Sequence, residues 1–199
     1  MYRKSFAGLA ALLVLAACGG QDAGEAPVPE PSTVDANEPA AAADTPEAPQ
    51  ARATFINSQG TQIGTANLRQ VGDEVVIEVD LAFLQAGERG FHVHEVGACE
   101  APTFESAGDH FNPTNAQHGL QNPQGPHAGD LENLEVETDD GTARGTRRSS
   151  LITLVPGQPN SLLDADGSAL VVHANADDYT SQPSGGSGDR IACGVIEEI

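Results

Sequence analysis

From residue 51 onward the chain alternates. Ala51–Asn57, Gln62–Gln70 and Glu74–Leu84 place apolar side chains at every second position, the period that sends successive side chains to opposite faces of a strand. Phe91–Val96, Leu131–Thr138, Ala143–Ser149, Ser168–Ala174 and Arg190–Ile196 follow the same habit. Glycine-containing breaks at Gly60 and Val71-Gly72-Asp73 separate the early runs, and Asp139-Asp140-Gly141 reads as a hairpin turn. No stretch of a dozen residues carries a helical period. About eight strands joined by turns predict an all-β fold, an antiparallel sandwich or barrel.

Two connections interrupt this rhythm, residues 97–130 and 175–189, both rich in Gly, Pro, Asn, Asp and Ser. Structureless loops longer than about 12–15 residues inside a compact domain are usually functional. The first holds three of the six histidines and Cys99. Too polar to fold on apolar burial, it is expected to be held by something other than a core.

The pattern is absent from the first quarter of the chain. Residues 1–17 read as a secretory signal: Arg3 and Lys4 precede the short apolar run Leu9–Ala17, which cannot span a bilayer. The run ends in Leu15-Ala16-Ala17-Cys18, which resembles the lipobox of bacterial lipoproteins and implies cleavage before Cys18 and its diacylation. Gly19, rather than an aspartate, follows the cysteine, as in outer-membrane sorting. A plain signal peptide with an incidental cysteine is the competing reading. Residues 18–50 are dominated by Ala, Pro, Glu and Asp, with almost no large apolar side chain. Such a segment cannot offset its ordering entropy and reads as a tether with a reach of about 30 Å. That leaves residues 51–199 as one domain large enough for a real core.

Charge narrows the choice of partner. The chain holds 29 acids against nine cations. Loss of Arg3 and Lys4 with the signal would make it two units more negative than its formal −20, with no lysine left. Nucleic-acid binding, which needs cations to replace phosphate counterions, is excluded. Tryptophan is absent and aromatics make up 4%, so the core must rest on Val, Ile, Leu and a few Phe. If Cys18 carries lipid, Cys99 and Cys193 are the two cysteines remaining in an oxidising compartment.

The histidines are His92, His94, His110, His118, His127 and His173. In Phe91-His92-Val93-His94 the period of two puts both imidazoles on one strand face, where they can meet a single ion. Such a pair in isolation is more often two solvent-facing residues. His110, His118, His127 and Asp130 make three nitrogens and one carboxylate oxygen, a closed tetrahedral set suited to zinc, whose binding would order the loop. Scattered loop histidines are the plain alternative, and His173 alone is an ordinary strand end.

Five ordered blocks then become specific: Gly90-Phe91-His92-Val93-His94-Glu95, Gly108-Asp109-His110-Phe111-Asn112-Pro113, His127-Ala128-Gly129-Asp130-Leu131, Val171-Val172-His173-Ala174-Asn175-Ala176-Asp177-Asp178, and Gly188-Asp189-Arg190-Ile191-Ala192-Cys193-Gly194. Across residues 51–199 the chain resembles the copper,zinc superoxide dismutase family. That family is itself a standard Greek-key sandwich, so the Greek-key fold it implies is not independent of the resemblance.

The resemblance implies copper held by His92, His94, His110 and His173, and zinc by His110, His118, His127 and Asp130, with His110 the bridging imidazolate. It implies that Asp177 links a copper ligand to a zinc ligand, that Cys99 and Cys193 form the intrasubunit disulfide, and that Arg190 guides the anion beside copper. A loop of nearly 100 residues closed by that bond would contribute about 4–5 kcal/mol by the chain-entropy argument. The implied activity is conversion of superoxide anion to O₂ and hydrogen peroxide by one-electron cycling of copper. The implied setting is the cell envelope or periplasm of a bacterium, anchored to a membrane through Cys18. Family members differ in whether they pair, which leaves monomer and homodimer both open.

Two departures stand out. The connection from His173 to Arg190 is shorter than in eukaryotic relatives and lacks lysine, and Leu120–Gly125 differs between the zinc ligands. A non-catalytic metal buffer would be favoured by a missing copper ligand or a missing Arg190. A copper-delivery domain would call for a transfer motif such as CxxC. Neither departure touches a ligand.

Overall fold

The computed structural model describes residues 50–137 and 140–199. The signal-like segment 1–17, all of the tether 18–50 except Gln50, and Thr138 and Asp139 lie outside the described residues. The described chain forms β1 (Ala51–Asn57), β2 (Gln62–Val71), β3 (Glu74–Leu81), β4 (Gly87–Arg89), β5 (Phe91–His94), β6 (Leu134–Val136), β7 (Ala143–Ser149), β8 (Ala169–His173) and β9 (Arg190–Glu198). A 3-10 turn spans Glu105–Ala107.

Seven strands make one antiparallel sheet in the order β5-β8-β9-β1-β2-β3-β7, and β4 pairs with β6. First and last strands are neighbours, Ala53 opposite Ile196, so the chain ends beside its folded beginning. The sheet curls on itself. Phe55, Leu68, Ile77 and Leu81 from β1–β3 meet Phe91 and Val93 of β5, Leu134 and Val136 of β6, and Leu170 and Val172 of β8 in one buried core. The alternation dictates this: in β1, Ala51, Ala53 and Phe55 face in while Arg52 and Thr54 face out. The all-β Greek-key barrel expected from the strand pattern and the family resemblance is the fold observed.

The strand ends differ from expectation where polar bonding or turn geometry intervenes. The run Glu74–Leu84 stops at Leu81, because Phe83 takes a left-handed φ of 62° and turns 82% exposed. The run Phe91–Val96 leaves β8 after His94; the Val96 amide donates instead to the Ala107 carbonyl. Within the described part of the run Leu131–Thr138 the strand begins only at Leu134, since the Asn133 amide is taken by the Tyr179 hydroxyl. Strand β4, Gly-Glu-Arg, has no apolar alternation to announce it.

The first long loop, expected to be held by something other than a core, has a small apolar cluster of its own. Phe104 and Ala107 bury against Ala169, Val171 and Cys193 in a second apolar cluster. The Cys99–Cys193 disulfide, with Cα atoms 5.6 Å apart, ties the same segment to β9.

Candidate metal centre

The site grows from the outer face of β5. Phe91 and Val93 point into the core, so His92 and His94 face the other way, where loop segments bury them to 0% and 1% exposure. β8 pairs antiparallel with β5, Phe91 opposite Val172, which brings His173 alongside. The free edge of β5 is filled by the long loop. The Val93 amide donates to the Gly129 carbonyl, and the Phe111 amide donates to the Val93 carbonyl. These bonds set His110 opposite His94 and Asp130 opposite His92. Glycine is required at 129, where a β-carbon would lie 2.3 Å from the Val93 oxygen.

Ring nitrogens then sort into two groups. His94 Nδ1–H donates to the Gly108 carbonyl at 2.9 Å, and His173 Nδ1–H to the Gly188 carbonyl at 3.1 Å. Their Nε2 lone pairs therefore face each other at 3.4 Å, a contact that neither can turn into a hydrogen bond. His92 Nε2–H donates to Asp177 Oδ2 at 2.8 Å. Its Nδ1, and the Nε2 of His110, are buried with no hydrogen-bond partner. Buried lone pairs of this kind are costly, and a cation among them removes the cost. His92, His94, His110 and His173 thus form a fitting set for a metal ion, their ligand atoms all within 4.8 Å of one another.

His110, His118, His127 and Asp130 form the second set. Asp130 Oδ1 lies 2.9 Å from His110 Nδ1, 3.0 Å from His118 Nδ1 and 3.3 Å from His127 Nδ1. Its Oδ2 accepts the amides of Gly119 and His127 at 2.8 and 3.0 Å. His110 belongs to both sets, Nδ1 in one and Nε2 in the other. A third cluster, His92, His118 and Asp177, is of a different kind. Both imidazoles donate Nε2–H to the one carboxylate, His118 at 3.0 Å, and turn their Nδ1 atoms to the two ligand sets. Orientation of metal-binding histidines by an outer carboxylate is a general device.

The electrostatics follow from burial and these bonds. Burial, the largest influence, takes His92 down to about 4, His94 to about 2 and His173 to about 3, so all three are neutral lone-pair donors at neutral pH. Burial would also lower His118, but its bonds to Asp130 and Asp177 prevail and raise it to about 9. Both carboxylates are buried, which alone would raise them; hydrogen bonds from the histidines, to Asp130 from His110 and His118 and to Asp177 from His118 and His92, hold them well below the usual carboxylate range.

Arg190, at the start of β9, is fixed by two main-chain oxygens. Its Nη1 donates to Phe104 and its Nη2 to Gly108, both at 2.7 Å. The Gly108 carbonyl also accepts from His94, so one oxygen registers the guanidinium against a ligand. A cleft of about 560 Å³ opens over His94, His110, His127, His173 and Arg190, with Glu95 and Asp109 also lining it. Sequence reasoning did not find Gly129, Asn133 or Tyr179. Each bonds to or makes room for a main-chain group, and nothing in its local sequence announces which one.

A curled antiparallel barrel with two ligand sets sharing one imidazole defines a binuclear metalloprotein. A sequence profile of the copper/zinc superoxide dismutase family (SODC) matches residues 62–196. The Cu-Zn superoxide dismutase 1 of Aquifex aeolicus is 44% identical over 146 residues, covering 73% of this chain and 86% of its own. The superoxide dismutase-like protein YojM of Bacillus subtilis is 43% identical over 144 residues, covering 71% and 73%. Among solved structures, the Cu/Zn superoxide dismutase from Brucella abortus superposes with a TM-score of 0.60 at 28% identity, over 74% of this chain and all of that one. The chain belongs to the copper/zinc superoxide dismutase family, oxidoreductases whose metals are copper and zinc.

Proposed function

We propose that His92, His94, His110 and His173 would hold copper, that His110, His118, His127 and Asp130 would hold zinc, and that the chain so loaded is a superoxide dismutase. The observation that carries this reading is His110, whose two ring nitrogens face the two ligand sets separately. The first set borders the open cleft, where a substrate can reach it, whereas Asp130 closes the second, as suits a structural zinc. Copper in an imidazole site supplies a one-electron couple, and zinc supplies none.

The chain's own residues do the rest. Among the described residues lining the cleft, Arg190 offers the one guanidinium to an incoming anion, against Glu95 and Asp109. With His110 Nδ1 directed at the Asp130 side, Nε2 is the atom that takes and returns a proton. Two superoxide anions and two protons give O₂ and hydrogen peroxide; His110 Nε2 delivers one proton and water in the cleft the other. Asp177 holds the Nε2 protons of His92 and His118, so that Nδ1 is the atom each turns to its ligand set.

Copper and zinc stoichiometry on the purified chain, paired with a superoxide-consumption assay, tests this. One copper and one zinc with rapid consumption is expected. Two metals at sites with no common ligand, or a fully loaded chain that leaves superoxide untouched, overturns it.

The same reading extends to place. The signal-like segment 1–17, the lipobox ending at Cys18, the acidic tether and a disulfide suited to oxidising compartments support an envelope lipoprotein. There it would protect the cell envelope from superoxide formed outside the cytoplasm. Fatty-acid labelling that fails in wild type, or survives Cys18→Ser, rules out the anchor.

A further inference from the structure

We propose that Tyr179 is a positioning residue of the metal centre, holding the Asp177 carboxylate between His92 and His118 and fastening its loop to segment 119–121. The proposal rests on the two-metal reading and assigns a role to a side chain outside both ligand sets.

Tyr179 has a left-handed φ of 63°, a conformation that costs free energy for a bulky residue and persists only where the surroundings enforce it. In that conformation its backbone and side chain reach three separate targets. Its amide donates to Asp177 Oδ1 at 2.6 Å, the oxygen that also accepts His118 Nε2–H. Its carbonyl accepts the Gln121 amide at 3.1 Å. Its hydroxyl accepts the Asn133 amide at 2.9 Å.

Each target leads back to the metal centre. The buried Asn133 side chain grips the Asp177 main chain from both sides, donating to its carbonyl at 3.0 Å and accepting its amide at 2.9 Å. Asp177 is thus held at its main chain by Asn133 and at its carboxylate by Tyr179, His92 and His118. On the other flank, a β-carbon on Gly119 would stand 2.1 Å from the Tyr179 carbonyl oxygen, so glycine is what lets the two loops touch. The Gly119 amide donates to Asp130 Oδ2. Tyr179 therefore bears on the carboxylates at both ends of His118, Asp177 at Nε2 directly and Asp130 at Nδ1 through the chain it fastens. Loss of the hydroxyl strands the Asn133 amide, and with it the side chain that sets Asp177 in place.

The test uses the full chain loaded with copper and zinc, and a second preparation with cobalt(II) in place of zinc. Tyr179→Phe keeps the ring and removes the hydroxyl. The expected result is zinc release to a chelator about tenfold faster and shifted cobalt absorption bands, with the metal-free chain losing only the few degrees expected of one stranded amide. Asn133→Ala is expected to release zinc at least as fast. The double variant should be little worse than Asn133→Ala alone, because both act through one carboxylate. Wild-type zinc release in Tyr179→Phe, faster release with the cobalt bands left at their wild-type positions, or independent multiplying effects in the double variant would each overturn the proposal. A wild-type chain that takes up no zinc would instead overturn the two-metal reading.

Discussion

The strand-borne and loop-borne halves of the metal centre are held by different forces. His92, His94 and His173 stand on β5 and β8, whose other faces carry Phe91, Val93 and Val172 into the core. Folding of the barrel puts these rings in place at the cost of leaving buried lone pairs without partners. His118, His127 and Asp177 stand on loops without regular structure, and Asp130 on a loop that meets β5 at a single bridge to His92. They are held by hydrogen bonds among themselves and to main-chain amides. His110 sits at the seam, beside β5 through the neighbouring Phe111 amide but with Nδ1 turned to the loop set. The strand half is preformed by hydrophobic burial, whereas the loop half depends on charge, and so on the metal.

The sharpest way to break that contrast is His110→Ala, which removes the member common to both halves. Dismutation at matched copper content should fall by about 10²–10⁴-fold, the range for a lost acid–base group, while the strand ligands still bind copper. An undiminished rate would remove His110 from the chemistry. Next in size is Cys99→Ser, which frees the loop from β9. Chain entropy puts the loss of stability at up to about 4–5 kcal/mol, read from denaturant midpoints, and amide exchange should rise in residues 100–109 before it does in β5. Equal exchange in both regions would erase the distinction.

Asp177→Asn keeps the shape but withdraws a charge from the link between halves. Zinc affinity should weaken by about 10–100-fold, measured by chelator competition, with copper retained more firmly than zinc. Equal weakening of both metals would mean the halves are not separable. Arg190→Glu changes neither ligand set. Reversing the charge by two units about 5 Å from an anion costs about 1.7 kcal/mol even at the dielectric of water, a little over tenfold. The rate should therefore drop while metal content stays intact, and the drop should grow at low salt. An unchanged rate at low salt would strip Arg190 of its steering role.

The two halves also differ in their response to pH, in the metal-free chain. His92, His94 and His173 have pKa values lowered by burial to about 4, 2 and 3. The unfolded chain protonates them near 6.5, so stability is intact above about pH 6.5 and is lost as pH falls toward those values. His118 runs the other way. Raised to about 9 by Asp130 and Asp177 against the pull of burial, it contributes fully below about 6.5, and its contribution is lost as pH rises through 9. Melting temperatures should peak near neutrality and fall on both sides. Zinc must also displace the His118 proton, so its apparent affinity should rise about tenfold per pH unit up to about 9. A flat affinity profile would show that His118 is already neutral in the metal-free loop.

Much of this was legible beforehand because it rests on local rules. Period-two alternation announced most of the strands, and His92 and His94 shared a face for the same reason. Ordered blocks around His110, His127, His173 and Arg190 carried the family resemblance. What escaped was written in the main chain. Nothing in the run Leu131–Thr138 signals that the Asn133 amide would leave the ladder for the Tyr179 hydroxyl. Nor does Phe104 announce that a polar loop would gain its own apolar cluster against Val171. Such features depend on which distant segments become neighbours.

The amino-acid order by itself determined the strands, the residue types offered to a metal and the acidic character, because alternation, side-chain type and charge need no knowledge of neighbours. Tertiary structure alone decided which nitrogen of each imidazole turns toward its cluster of candidate ligands. That choice is made by where the Gly108 and Gly188 carbonyls and the Asp177 carboxylate lie. A ring has two nitrogens, and only a partner brought from elsewhere in the chain tells them apart.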